Sequence, residues 1–84
     1  MANIEVELLT RQGCHLCEAA RATVAEVTAE FGLDFFETDI DSHPELLERF
    51  THEVPVVRVN GVVKDFWQVS PRRFRKTLSE LTSA

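Results

Sequence analysis

Two cysteines stand three residues apart in the run Gly13-Cys14-His15-Leu16-Cys17. On a helix that spacing puts both side chains on one face, within the ~4.4–6.8 Å Cα separation that a disulfide requires. If a helix begins there, Cys14 sits at its N-terminus, where unpaired backbone N–H groups and the helix dipole favour a thiolate over a neutral thiol. Thiols in such motifs have pKa values lowered to roughly 3.5–7.5 and act as nucleophiles. Cys14 is therefore the candidate attacking thiolate. Cys17, one turn further in and beside apolar Leu16 and Ala20, is the more shielded thiol and suits the resolving role.

Other uses of the same pair stay open. A zinc site needs further ligands, which would have to be His15, His43 or His52, and the last two lie outside the usual spacing of ~3–5 residues between paired histidines. Two inert, buried cysteines are a second reading, since cysteine is often buried. An iron–sulfur cluster bridging two subunits is a third, and it needs thiolates or glutathione from elsewhere.

The elements that must position the pair are legible around it. Ile4 to Leu9 alternates loosely and then runs apolar, which predicts a first strand entering a polar loop over Thr10 to Gly13. Leu16, Ala20, Thr23, Val24, Val27 and Phe31 then recur at helical steps, with Gly32 as a stop. Asp34 to Ile40 fits a second strand. Ser42-His43-Pro44-Glu45 predicts a helix start with Ser42 as N-cap and Glu45 completing a capping box, and Leu46, Leu47 and Phe50 facing inward.

Pro55 disfavours helical geometry at Val54, and the β-branched Val56 to Val59 predicts a third strand. Asn60-Gly61 is a strong hairpin signal, favouring a two-residue type I′ turn into a fourth strand over Val62 to Asp65. A last helix starts at Ser70-Pro71 and should bury Phe74, Leu78 and Leu81. The order is β-α-β-α-β-β-α, an α/β architecture whose strand-helix-strand opening implies a right-handed parallel crossover. One four-stranded mixed sheet flanked by three helices follows, and that arrangement fits the thioredoxin-like class.

Length and composition bound the rest. Eighty-four residues with 44% hydrophobic content make a single domain over 1–84 that folds without obligatory cross-links or metal. Two cysteines exclude a disulfide-scaffolded secreted miniprotein and an all-cysteine zinc site within one chain. No apolar run approaches the ~18–20 residues of a membrane span, and Met1 to Thr10 lacks the blocks of a signal peptide. A cytoplasmic monomer acting on neither nucleic acid nor membrane is the expectation. The net charge of −5 is divided unevenly, because Arg72, Arg73, Arg75 and Lys76 cluster near the C-terminal end. That cluster is either a solvated helix face or a docking patch for an acidic partner.

Thr10-Arg11-Gln12-Gly13-Cys14-His15-Leu16-Cys17-Glu18, followed by Val54-Pro55 and then Asn60-Gly61, resembles the glutaredoxin-like proteins of the thioredoxin superfamily. Cys-His-Leu-Cys is similar, more narrowly, to a small bacterial glutaredoxin-like group. The resemblance implies a disulfide oxidoreductase with Cys14 and Cys17 as its redox-active centre, serving electron transport and cell redox homeostasis. It implies no bound cofactor. The electron donor would be glutathione or a thioredoxin-reductase-type flavoprotein, and the substrate a disulfide-containing protein or a glutathione mixed disulfide.

The same resemblance gives roles to residues outside the pair. Arg11 stands where glutaredoxins often have a lysine, so its cation would stabilise a thiolate or a glutathione carboxylate. Val54 would precede a cis-Pro55, and the Val54 backbone would pair with substrate. His15 would tune the Cys14 thiolate, and Trp67 resembles the aromatic of redoxins that serve ribonucleotide reductase.

Two departures stand against standard glutathione use. Glu53 replaces the family's threonine before Val-Pro, placing a negative charge near the site. The family's Gly-Gly-x-Asp turn has no match over Asp65 to Ser70, which leaves the helix start at Ser70-Pro71, with Arg72 or Arg73, as a weaker anion site. A rival reading is a non-catalytic binding module that uses the Arg72 to Lys76 face.

Overall fold

The computed structural model describes residues 4–82. Their elements are β1 (Val6–Thr10), α1 (His15–Glu30), β2 (Phe35–Asp39), a 3-10 turn (Ile40–Ser42), α2 (Pro44–Phe50), β3 (Val56–Val59), β4 (Val62–Phe66) and α3 (Pro71–Thr82). They form one four-stranded sheet in the order β2-β1-β3-β4. β1 runs parallel to β2 and antiparallel to β3, and β3 runs antiparallel to β4. This is the mixed sheet with three helices that the element order predicts.

Both faces of the sheet are covered, which is why β1 does not alternate cleanly: Leu8 and Leu9 are adjacent and both fully buried. Leu8 and Val6 join Ala20, Val24 and Val27 of α1 and Phe74 and Leu78 of α3 in the larger core cluster. Leu9 lies on the opposite face, with Ile40, Phe50 and Val56. Each such fully buried side chain contributes about 1.5–3 kcal/mol relative to exposure. α2 spans only seven residues, and a polar ladder stands beside Leu9 on its face of the sheet. Thr38 Oγ1 donates to Glu7 Oε2 at 2.6 Å, and Arg58 Nε donates to Glu7 Oε1 at 2.7 Å.

Local signals are met in most places. α1 ends where Gly32 N–H donates to the Ala29 carbonyl and Leu33 N–H to the Thr28 carbonyl, the paired bonds of a Schellman motif. Asn60 (φ 52°) and Gly61 (φ 79°) both take the left-handed conformation a type I′ hairpin requires. The Asn60 side chain also ties this turn to β1, its Oδ1 accepting from Glu5 N–H at 2.9 Å.

Three expectations are corrected. Ser42 does not cap α2: Asp39 Oδ1 accepts from Asp41 N–H, winding Ile40–Ser42 into a 3-10 turn. His43 becomes the N-cap without a side-chain bond, and Pro44 opens the helix. Leu81 is exposed, because it falls in the last turn of α3 beyond the core cluster that ends at Leu78. Leu16 is exposed as well, standing on the first turn of α1 rather than in its buried stripe.

The fourth strand holds an irregularity with consequences for the site. Val59 pairs with Val62 and Arg58 with Val63, but Val57 pairs with Asp65, so the register skips Lys64. An extra residue of this kind reverses the inside-outside alternation beyond it. Asp65 is thereby placed opposite Val57, on the face covered by α1 and α3, and is buried there at 8% exposure.

Candidate functional site

The chain leaves β1 through a four-residue turn in which Cys14 N–H donates to the Arg11 carbonyl at 3.3 Å. Gly13, third in that turn, has φ 77°, a conformation that side chains disfavour. The turn delivers Cys14 as the N-cap of α1, in extended geometry, with Sγ accepting from Cys17 N–H at 3.2 Å. Cys14 and Cys17 are joined as a disulfide with a Cα separation of 5.3 Å. Their environments differ: Cys17 is 3% exposed, whereas Cys14 is partly open to solvent.

Two grooves flank the pair. One, of ≈ 510 Å³, is formed by the β1–α1 turn, both cysteines, His15, Glu18 and Arg21, with Glu37 and Asp39 from β2. Its cations are already engaged. Arg11 Nε donates to Asp41 Oδ1 at 3.0 Å, and Arg21 is paired with Glu37 through both carboxylate oxygens. The bond to Glu37 and its charge hold the Arg21 guanidinium above the ordinary arginine value. Arg11 thus shares this groove with the cysteines, with its charge directed at Asp41.

The second groove, of ≈ 970 Å³, is lined by the apolar Leu16, Val54, Val63, Phe66 and Trp67 together with His52, Lys64, Asp65, Gln68 and Arg73. Trp67 is half exposed and has φ 62°, unusual for an aromatic residue. Three hydrogen bonds hold it: its N–H is shared between the Pro55 carbonyl at 2.8 Å and the Glu53 carbonyl at 3.4 Å, and its indole Nε1–H donates to the His52 carbonyl at 2.7 Å. Phe66 packs edge-on against it, ring centroids 5.2 Å apart. The Val54-Pro55 peptide is cis, and Trp67 is bonded to the same loop. Val54 and Trp67 therefore belong to this groove, Arg11 and His15 to the other, and Leu16 reaches from between the cysteines into the apolar side. Glu53 lines neither.

The helix start at Ser70-Pro71 is not open to an anion. Asp65 occupies it: Oδ2 accepts from Ser70 N–H at 2.9 Å, Oδ1 from Phe66 N–H at 2.9 Å, and Arg73 Nη2 lies 3.0 and 3.3 Å from the two oxygens. Sequence reasoning did not assign Asp65, because its position depends on the skipped register of β4. The basic cluster of α3 is also partly consumed, since Arg75 bonds Glu30 through two 2.8 Å contacts. Among the described residues no three His, Cys, Asp or Glu side chains are grouped as a metal site would need.

The glutaredoxin-like domain model (DUF836) matches residues 5–79, and the chain belongs to this family. Uncharacterised proteins of Mycobacterium tuberculosis and Mycobacterium bovis are 33% identical to it over 98% of this chain and 90% of theirs. Among solved structures, a structural-genomics target from X. campestris superposes with a TM-score of 0.75 at 29% identity, covering 89% of this chain and 96% of that one. A Nitrosomonas europaea protein gives 0.78 at 18% identity, over 92% and 93%. A Halobacterium salinarum thioredoxin gives 0.70 at 13% identity, over 96% and 76%. The fold is thioredoxin-like, and it carries a Cys-x-x-Cys pair at disulfide distance.

Proposed function

We propose that this chain is a dithiol oxidoreductase that reduces disulfides through Cys14 and Cys17. The observation that carries the reading is the unequal pair at the head of α1: Cys14 open and capping the helix, Cys17 buried one turn behind it. In the reduced form the N–H groups of the first turn face Cys14 Sγ, favouring its thiolate. That thiolate attacks one sulfur of a substrate disulfide, forming a mixed disulfide and expelling the other sulfur as a thiolate, which takes up a proton. The Cys17 thiolate then attacks Cys14 Sγ and expels the second substrate thiolate. Two electrons pass from the pair to the substrate, and the pair ends as the disulfide.

Leu16, between the two cysteines, lines the groove of Trp67 and Val54, so a substrate polypeptide can lie along that groove while its sulfur meets Cys14. Return to the dithiol needs an external two-electron reductant, either two glutathione thiols or a thioredoxin-reductase-type flavoprotein. His15, exposed on the first turn beside Cys14, is the residue assigned to tune its thiolate. The protein needs no bound cofactor for this cycle.

A redox titration in glutathione buffers of defined potential, read by alkylation and intact mass, tests the proposal. The expected result is a reversible Cys14–Cys17 disulfide with a midpoint in the roughly −180 to −270 mV range of known oxidoreductases. Two thiols that stay reduced across the whole range would overturn it.

A further inference from the structure

We propose that Asp65 is a specificity-determining residue: its carboxylate fills the anion position at the head of α3, so the groove beside the disulfide does not hold thiols through their carboxylates. The inference deepens the exchange reading by stating which class of thiol the site disfavours, namely small anionic peptide thiols such as glutathione, relative to polypeptide or neutral dithiols.

The reasoning starts in β4. Without the skipped residue at Lys64, strand alternation would direct Asp65 to the opposite face of the sheet. The irregularity turns it toward α3, where it is 8% exposed and meets two donors at the head of that helix. Those are the N–H of Ser70, which directly precedes α3, and the Arg73 guanidinium. Arg73 itself is largely exposed, its side chain 68% accessible against 8% for Asp65. A mobile cation of that kind would ordinarily be free to turn to a ligand anion.

Hydrogen bonds to a charged group are stronger than those between neutral groups, and an external carboxylate must displace Asp65 from them and leave a buried charge unpaired. The nearby arginines of the other groove are no help to an anion either, since Arg11 and Arg21 are bonded to Asp41 and Glu37. What the second groove leaves available is mainly apolar, namely Leu16, Val54, Phe66 and the exposed half of Trp67, and its remaining cation, Lys64, is an exposed side chain on β4 rather than part of the donor set at the head of α3. The site is thereby shifted from reading ligand charge to reading apolar contact.

The test uses S-methylglutathione, which has glutathione's carboxylates and no free thiol, so its binding does not depend on whether Cys14 and Cys17 exchange. Amide NMR titrations compare the wild type with Asp65→Asn, Asp65→Ala and Asp65→Ala/Arg73→Ala, each first checked for native amide dispersion. Asp65→Asn is nearly isosteric and covers the case in which the alanine variant fails to fold.

The expected result is binding about tenfold tighter in the Asp65 variants than in the wild type, with Ser70 amide shifts. The gain should be lost in the double variant and absent for the dicarboxamide of the same probe. Arg73→Ala alone should leave wild-type affinity for the probe unchanged, because Arg73 is committed to Asp65. Folded Asp65→Asn that gains nothing, or a wild type whose probe affinity falls on Arg73→Ala, would overturn the proposal. A failed redox titration would instead overturn the exchange reading and leave this result standing.

Discussion

On one side of the Cys14–Cys17 disulfide the surface is built from closed ion pairs, and on the other from apolar side chains held by backbone bonds. Arg11 with Asp41 and Arg21 with Glu37 define the first side; Leu16, Val54, Phe66 and Trp67 define the second. Charges that already satisfy one another in water have little left to give a ligand. An aromatic fixed in place loses little freedom on binding and presents a large contact area. Formal charge near a redox pair is therefore a poor guide to what the pair accepts, unless the partners of each charge are known.

The sharpest way to break the comparison is to remove the sulfur both sides serve. Cys14→Ser should reduce disulfide turnover to the uncatalysed background, while Cys17→Ser should accumulate mixed disulfides visible by intact mass. Substantial turnover by the Cys14→Ser variant would exclude the assigned nucleophile. On the apolar side, Trp67→Ala should lower kcat/KM for a protein disulfide by about tenfold, chiefly through KM, as truncating a contact aromatic does. The same variant should be closer to wild type with a small neutral disulfide.

On the charged side, Arg11→Ala should change kcat/KM by less than about threefold, an effect that shrinks further as salt is raised. A larger loss, together with a shifted midpoint potential, would show that Arg11 leaves Asp41 when the pair is reduced.

The smallest expected effect lies away from both grooves. The hydrogen bond from Arg75 holds the Glu30 carboxyl below its ordinary value of 4.5. A carboxyl with a depressed folded-state pKa adds stability that is present above 4.5 and lost as pH falls through the folded value. Arg75→Ala should therefore lower Tm slightly at pH 7, and the difference from wild type should vanish in strong acid. A Tm difference independent of pH would show that Arg75 acts through packing alone.

The sequence makes much of this visible, and what it hides has a common cause. Asn60-Gly61 declares its turn because few residue pairs tolerate two left-handed conformations in succession. Cys14 declares its helix start because the apolar period begins directly after it. The cis state of Val54-Pro55 came from family resemblance, since local chemistry alone favours trans before proline.

Asp65 stayed hidden because its burial is set by a register skip between β3 and β4, a property of the pairing and of neither strand alone. The ion pairs of Arg11 and Arg21 were hidden for a similar reason, being contacts to residues thirty and sixteen positions away. Ser42 shows the opposite failure. A good local capping pattern lost to Asp39, whose side chain caps the 3-10 turn and displaces the helix start by one residue.

The strand order has a consequence for how the chain must be made. β1 lies in the interior of the sheet, yet it is the first of the strands to leave the ribosome, and its β3 partner is far downstream: Glu5 and Asn60, which close that pairing, are 55 residues apart. Until β3 has emerged, β1 and β2 can at most form a parallel pair with α1 across it, with the hydrogen-bonding edge of β1 that faces β3 unpaired. Long-range closure of this kind slows folding and leaves a nascent strand open to wrong partners. The sheet can complete only once β3 and β4 are free of the ribosome, so the side of β1 that pairs with β3 is the last part of its centre to be covered.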